Sequence, residues 1–128
     1  DEEAEGLVAE VFADIRETRS TDFINNFWRA LAVDPELLKS TWGEVKSVMA
    51  APSVLDPVTQ EMIYIAVSVA NACSYCVHSH TASARAKGMT DPQYAELMRI
   101  VSLAAKTNHL VTAMQVPVDP EFDIQKAN

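Results

Sequence analysis

This chain of 128 residues contains two cysteines, Cys73 and Cys76, three positions apart, with His80 four positions further on. In a helix these positions are i, i+3 and i+7, which at 100° per residue fall within an arc of about 60°. Three reactive side chains then share one face and can exchange protons. His78, two residues from His80, projects to nearly the opposite side and is a bystander. A pair this close closes almost no loop, so it does not staple a disulfide scaffold. In a chain large enough to build its own core, such a pair points to redox or metal chemistry.

A carboxylate completes the group if the chain reverses. Glu61 stands twelve residues before Cys73, about 18 Å along one continuous helix and too far for a shared network. Asn71 is the local candidate for a break, since asparagine tolerates the left-handed conformation at helix ends. Two antiparallel helices turning at Ala70-Asn71 place Glu61 opposite His80. The same turn puts Cys73 and Cys76 in the first turn of the second helix, where free backbone N–H groups favour thiolate. The result is a carboxylate that orients a histidine, which in turn polarises a cysteine. Taken singly, Glu61 is a first-turn carboxylate answering a helix dipole, and His80 a surface or core histidine. Their register with the cysteines raises them above that.

Metal readings fare worse. Cys73, Cys76, His78 and His80 are four nominal zinc ligands, but His78 cannot join the others without unwinding the helix. Covalent haem requires histidine directly after the second cysteine, and Val77 stands there. No metal and no other cofactor is expected.

Helical periodicity supplies the elements that must position these residues. Leu7, Val8, Val11, Phe12 and Ile15 predict an amphipathic helix over about residues 3–18. A second segment carries Phe23, Phe27, Trp28 and Leu31; its three aromatic residues, with Trp42 further on, suit the core or a subunit contact, or the wall of a substrate channel. Asp34-Pro35 opens a third helix whose apolar side is Leu38, Trp42, Val45 and Met49. Asp56-Pro57 opens a fourth through about Ala70. Gly88 ends the helix that carries His80. Thr90-Asp91-Pro92-Gln93 has capping-box spacing and opens a last helix along Tyr94, Leu97, Met98, Val101 and Ala105. Residues 115–128, with Pro117 and Pro120, read as an extended tail. No segment alternates polarity between turn signals over a useful length, so the fold is all-α, one domain over 1–128.

Composition narrows the function classes. Hydrophobic residues are 48% and charged residues 22%, which excludes wholesale disorder. Three glycines and six prolines leave little chain for turns, which favours helices. The net charge of −8 is concentrated at the two ends, with a neutral body between them. Such a chain repels phosphate and carries no basic stripe for nucleic acid. No apolar run reaches about 18 residues, so no membrane span is expected. The chain begins at Asp1 without methionine, so a removed leader would leave no trace; the cytoplasm is the expected compartment.

Glu61, eleven residues, Cys73-Ser74-Tyr75-Cys76, three residues and then His80 resemble the AhpD-like alkylhydroperoxidase branch of the carboxymuconolactone decarboxylase superfamily. Leu55-Asp56-Pro57 ahead of the glutamate, and Ala84, Gly88 and Met89-Thr90 after the histidine, fit the same pattern. The resemblance covers about residues 53–98. It implies an AhpD-like helical bundle, assembled as a dimer, trimer or hexamer, that reduces hydroperoxides by cysteine oxidation. By the same resemblance Cys76 attacks the peroxide and becomes a sulfenic acid, and Cys73 resolves it as an intramolecular disulfide. Glu61 and His80 serve as the proton relay, and a dithiol or lipoyl-type donor returns the electrons.

Tyr75 departs from the pattern, because the best-known members carry histidine immediately before the second cysteine. A phenol titrating at about pH 10 can donate a hydrogen bond but does not shuttle protons at neutral pH. Tyr75 and Ser68 are candidate pocket residues. Decarboxylase members of the superfamily generally lack the cysteine pair, which speaks against lactone decarboxylation. Two other readings stand beside the peroxidase: a thiol–disulfide reductase of a protein or lipoyl partner, and a non-catalytic helical interaction protein with a structural cysteine pair.

Overall fold

The computed structural model describes residues 5–122, and every regular element among them is helical. The expected first helix begins, and the expected tail ends, outside the described residues. Contacts gather into two compact units that divide between Leu55 and Asp56.

The first unit contains α1 (Gly6–Arg19), α2 (Asn26–Leu31) and α3 (Pro35–Val45), followed by one π-helical turn (Lys46–Ala50). The predicted stripe of α1 buries Val11, Phe12 and Ile15 against Leu38 and Trp42 of α3, with Ile24 and Trp28 completing the core. Burying side chains of this size is worth about 1.5–3 kcal/mol each. Trp28 and Trp42 meet edge to face with ring centres 5.4 Å apart. The Trp42 indole N–H donates to Asp14 (2.8 Å), so its one polar atom is satisfied. Of the four aromatic residues singled out as core or subunit contacts, Trp28 and Trp42 are buried, while Phe23 and Phe27 are exposed. Phe23 lies ahead of α2, outside any helical stripe.

The second unit contains α4 (Pro57–Ala70), α5 (Ser74–Ala86) and α6 (Asp91–Ala113). Each predicted start is present. Asp56 accepts from the Thr59 N–H (2.9 Å), and Thr90 and Gln93 form a reciprocal capping box. Ile65, Ala84, Met89 and Leu97 form the buried core, flanked by Val58, Met62, Tyr94, Met98 and Val101. Ala84 is wholly buried, and its small side chain permits close packing of α5. Beyond Val101 the side chains of α6 are exposed, Leu103 and Leu110 among them. A short 3-10 turn, Pro120–Phe122, interrupts the otherwise irregular segment that follows α6.

Candidate active site

The α4–α5 reversal falls where the sequence placed it, but a different residue makes it. Asn71 has φ −89°, ψ 4° and is the last, non-left-handed residue of the helix end. Ala72 takes the left-handed conformation, with φ +55°. The Ala72 N–H donates to the Val69 carbonyl (3.0 Å) and the Cys73 N–H to the Ser68 carbonyl (2.9 Å). These are the paired bonds of a Schellman motif, which demands its left-handed residue one position after the cap. Geometry of the stop, not side-chain preference, thus selects Ala72 over Asn71. Gly88 fills the corresponding place at the end of α5, with φ +113°; there Met89 N–H donates to the Ala84 carbonyl (2.9 Å).

The turn delivers Cys73 as the N-cap of α5 and Cys76 as its third residue. Cys73 therefore sits just ahead of the first helical turn rather than within it. Its sulfur accepts from the Cys76 N–H (3.3 Å), as a capping oxygen would. The two sulfurs are joined as a disulfide across Cα atoms 5.3 Å apart. Both residues are half-buried, at the positive end of the helix dipole.

Glu61 lies in the second turn of α4, not the first, and is only 3% exposed. Its distance from the helix start excludes the simple dipole role. His80 Nδ1 is 2.7 Å from Glu61 Oε2, while Lys87 Nζ (2.7 Å) and Ser83 Oγ (3.1 Å) donate to Oε1. Burial pushes the carboxyl pKa up, but hydrogen bonds from His80 and Lys87 and the lysine charge outweigh it, so the net direction is down. An ionised carboxylate only accepts, which places a proton on His80 Nδ1. In the neutral imidazole Nε2 is then the free acceptor. The Tyr64 ring stacks on His80 at 3.7 Å between centres and 19° between planes, fixing the imidazole from its face.

The remaining candidates are placed as follows. His78 is exposed, with Nδ1 donating to the Ser74 carbonyl (2.8 Å), away from the Glu61 network. Ser68 is buried, and its hydroxyl is turned back onto the Tyr64 carbonyl (2.7 Å). Tyr75 is 45% exposed at the second position of α5, between the two cysteines in sequence. Sequence reasoning missed Ser83, Lys87 and Tyr64. The first two were accessible in principle, since 73, 76, 80, 83 and 87 continue one stripe at alternating spacings of three and four. Tyr64 likewise follows Glu61 by three.

A sequence model of the carboxymuconolactone decarboxylase family matches residues 35–119. The chain belongs to this family. The match to the carboxymuconolactone decarboxylase family begins at α3 and takes in the whole hairpin that carries the cysteines. Among solved structures, the chain resembles the alkylhydroperoxidase AhpD core from Rhodospirillum rubrum. The two are 65% identical, with a TM-score of 0.89 over 91% of this chain and 85% of the other. Among curated proteins, an (R)-2-haloacid dehalogenase from Pseudomonas putida is 27% identical over 100 residues, covering 78% of this chain and 33% of the dehalogenase. The chain thus spans about a third of that relative's length.

Proposed function

We propose that the chain is a thiol-dependent peroxidase that reduces hydroperoxides through a sulfenic acid and disulfide cycle at Cys76 and Cys73. One observation carries this reading: a buried Glu61 carboxylate held to the partly exposed His80 imidazole, on the same hairpin as the joined cysteines. The likeness to the alkylhydroperoxidase AhpD core supports the substrate class. Among the described residues, no helix is long and apolar enough to cross a membrane.

In the reduced protein, His80 Nε2 takes the proton of the Cys76 thiol, four residues earlier on the same helix and so on the same face. The thiolate attacks the terminal peroxide oxygen, the O–O bond breaks and Cys76 becomes a sulfenic acid. The departing alkoxide takes the proton from His80 and leaves as the alcohol. The Cys73 sulfur then displaces hydroxide from the sulfenic acid, which with the thiol proton leaves as water and closes the disulfide. A dithiol or lipoyl-type donor supplies two electrons and two protons to restore both thiols. The cycle belongs to a reducing compartment, for which we propose the cytoplasm. The exposed apolar side chains along the second half of α6 support assembly with further copies of the chain.

The test is sulfenic acid trapping with dimedone during exposure of the reduced protein to an alkyl hydroperoxide. Cys73→Ser accumulates the adduct on Cys76, and Cys76→Ser accumulates none on Cys73. Adduct on Cys73 alone reverses the two roles. If peroxide forms no disulfide in the unsubstituted protein, the peroxidase reading falls. The thiol–disulfide reductase reading, favoured by Tyr75 beside the reactive cysteine, then requires oxidation of dihydrolipoamide by the disulfide form. Thiols that resist alkylation near neutral pH instead identify a structural pair.

A further inference from the structure

Lys87 has no place in the cycle above, yet its ammonium reaches the buried carboxylate of the site. It lies 2.7 Å from Glu61 Oε1, while His80 holds Oε2. The two carboxylate oxygens therefore have separate partners. Each partner can balance the carboxylate charge, but lysine does so in its ordinary protonated state, whereas histidine does so only by binding an extra proton.

We propose that Lys87 is a positioning residue that supplies the balancing charge at Oε1, leaving Glu61 to orient His80 through Oε2 without locking the imidazole as a cation. The proposal rests on the peroxidase reading insofar as that reading needs His80 Nε2 to accept the thiol proton. Without Lys87, the buried carboxylate faces a single neutralising partner, and the imidazolium becomes the favoured state. A histidine held in that state accepts no proton from Cys76. Ser83 adds a second donor at Oε1 (3.1 Å) but no charge.

The groups around His80 allow this division. From α4, Glu61 and the stacked Tyr64 face it. From α5, Cys76 lies one turn before it, with Ser83 and Lys87 one and two turns after. Arg85 sits about 140° around the helix from His80 and is paired with Asp91. The competing explanation is that Lys87, the C-cap of α5, only stabilises the negative end of that helix.

The experiment follows the His80 imidazole by NMR titration in the disulfide form, where no thiol titrates alongside. Lys87→Met raises the imidazole midpoint by about one pH unit or more. Lys87→Gln, which keeps an N–H donor for Oε1 without the charge, does the same and serves if the methionine variant does not fold. Lys87→Arg returns the midpoint toward the unsubstituted value. In the reduced protein, the acidic limb of the pH profile for peroxide-driven disulfide formation moves to higher pH in the first two variants and back in the third. An unmoved imidazole midpoint in both charge-removing variants overturns the proposal and leaves Lys87 a helix-end cation. Failure of the unsubstituted protein to react with peroxide removes the peroxidase reading instead, a result on which the NMR titration does not depend.

Discussion

His80 Nδ1 lies 2.7 Å from Glu61 Oε2, across a hairpin whose turn is centred eleven residues after the glutamate, at Ala72. The carboxylate is buried and the imidazole is about one-fifth exposed, with side-chain accessibilities of 3% and 22%. One end of the pair is thereby screened from water while the other remains open to a reactant. This asymmetry suits a relay in which the carboxylate sets the tautomer and the imidazole meets the proton.

Glu61→Gln tests that relation directly. The amide presents one acceptor oxygen where the carboxylate had two, and it leaves the Lys87 ammonium facing a neutral group. Disulfide formation by peroxide is expected to slow by about 100-fold or more, with helical content retained in circular dichroism. Unchanged kinetics would remove the carboxylate from the mechanism.

The same carboxylate makes stability depend on acid. Its pKa in the fold lies below the ordinary 4.5, because His80 and Lys87 overcome the cost of burial. Between the two values the unfolded chain binds more protons than the folded one, so stability rises with pH across that window. The contribution is complete above the ordinary value and lost as pH falls through the folded one. Urea unfolding at a series of acidic pH values should show stability falling as pH falls, a dependence that Glu61→Gln makes shallower. Asp14 and Asp56 are also lowered, the first by Trp42 and Lys46 and the second by Thr59, so some slope remains in the variant.

Ala72 offers a test of the turn. A left-handed alanine costs about 1–2 kcal/mol, and glycine removes that strain while adding about 0.5–1 kcal/mol of backbone entropy to the unfolded chain. Ala72→Gly should therefore raise stability by a few tenths to about 1 kcal/mol, read as a higher midpoint in denaturant. A lower midpoint would show that the left-handed conformation is not what limits this turn.

Assembly is testable on α6. Leu103 is 60% and Leu110 48% exposed in the isolated chain, seven residues apart and so on one face. Leu103→Glu combined with Leu110→Glu should lower the mass found by light scattering toward that of the single chain. An unaltered mass places any subunit contact elsewhere.

The sequence by itself determined the elements and their punctuation. Asp34, Asp56 and Thr90 each cap the helix they were expected to open, and Gly88 closes α5. The α1 stripe buries Val11, Phe12 and Ile15 as its spacing requires. These features depend on neighbours three or four positions away, so the information that forms them is local. The antiparallel hairpin was legible too, because a carboxylate too distant along one helix could join the site only if the chain reversed.

The tertiary structure alone decided which side chains surround Glu61. Ser83 and Lys87 share the periodic stripe of the cysteines, but periodicity names a face and not what lies opposite it. Their meeting with Oε1 depends on the register set by the Ala72 turn and on the rotation of α5 against α4. The Tyr64–His80 stack depends on the same two quantities. Both arise from packing between helices, where a shift of one residue swings a side chain by about 100° and replaces one partner with another.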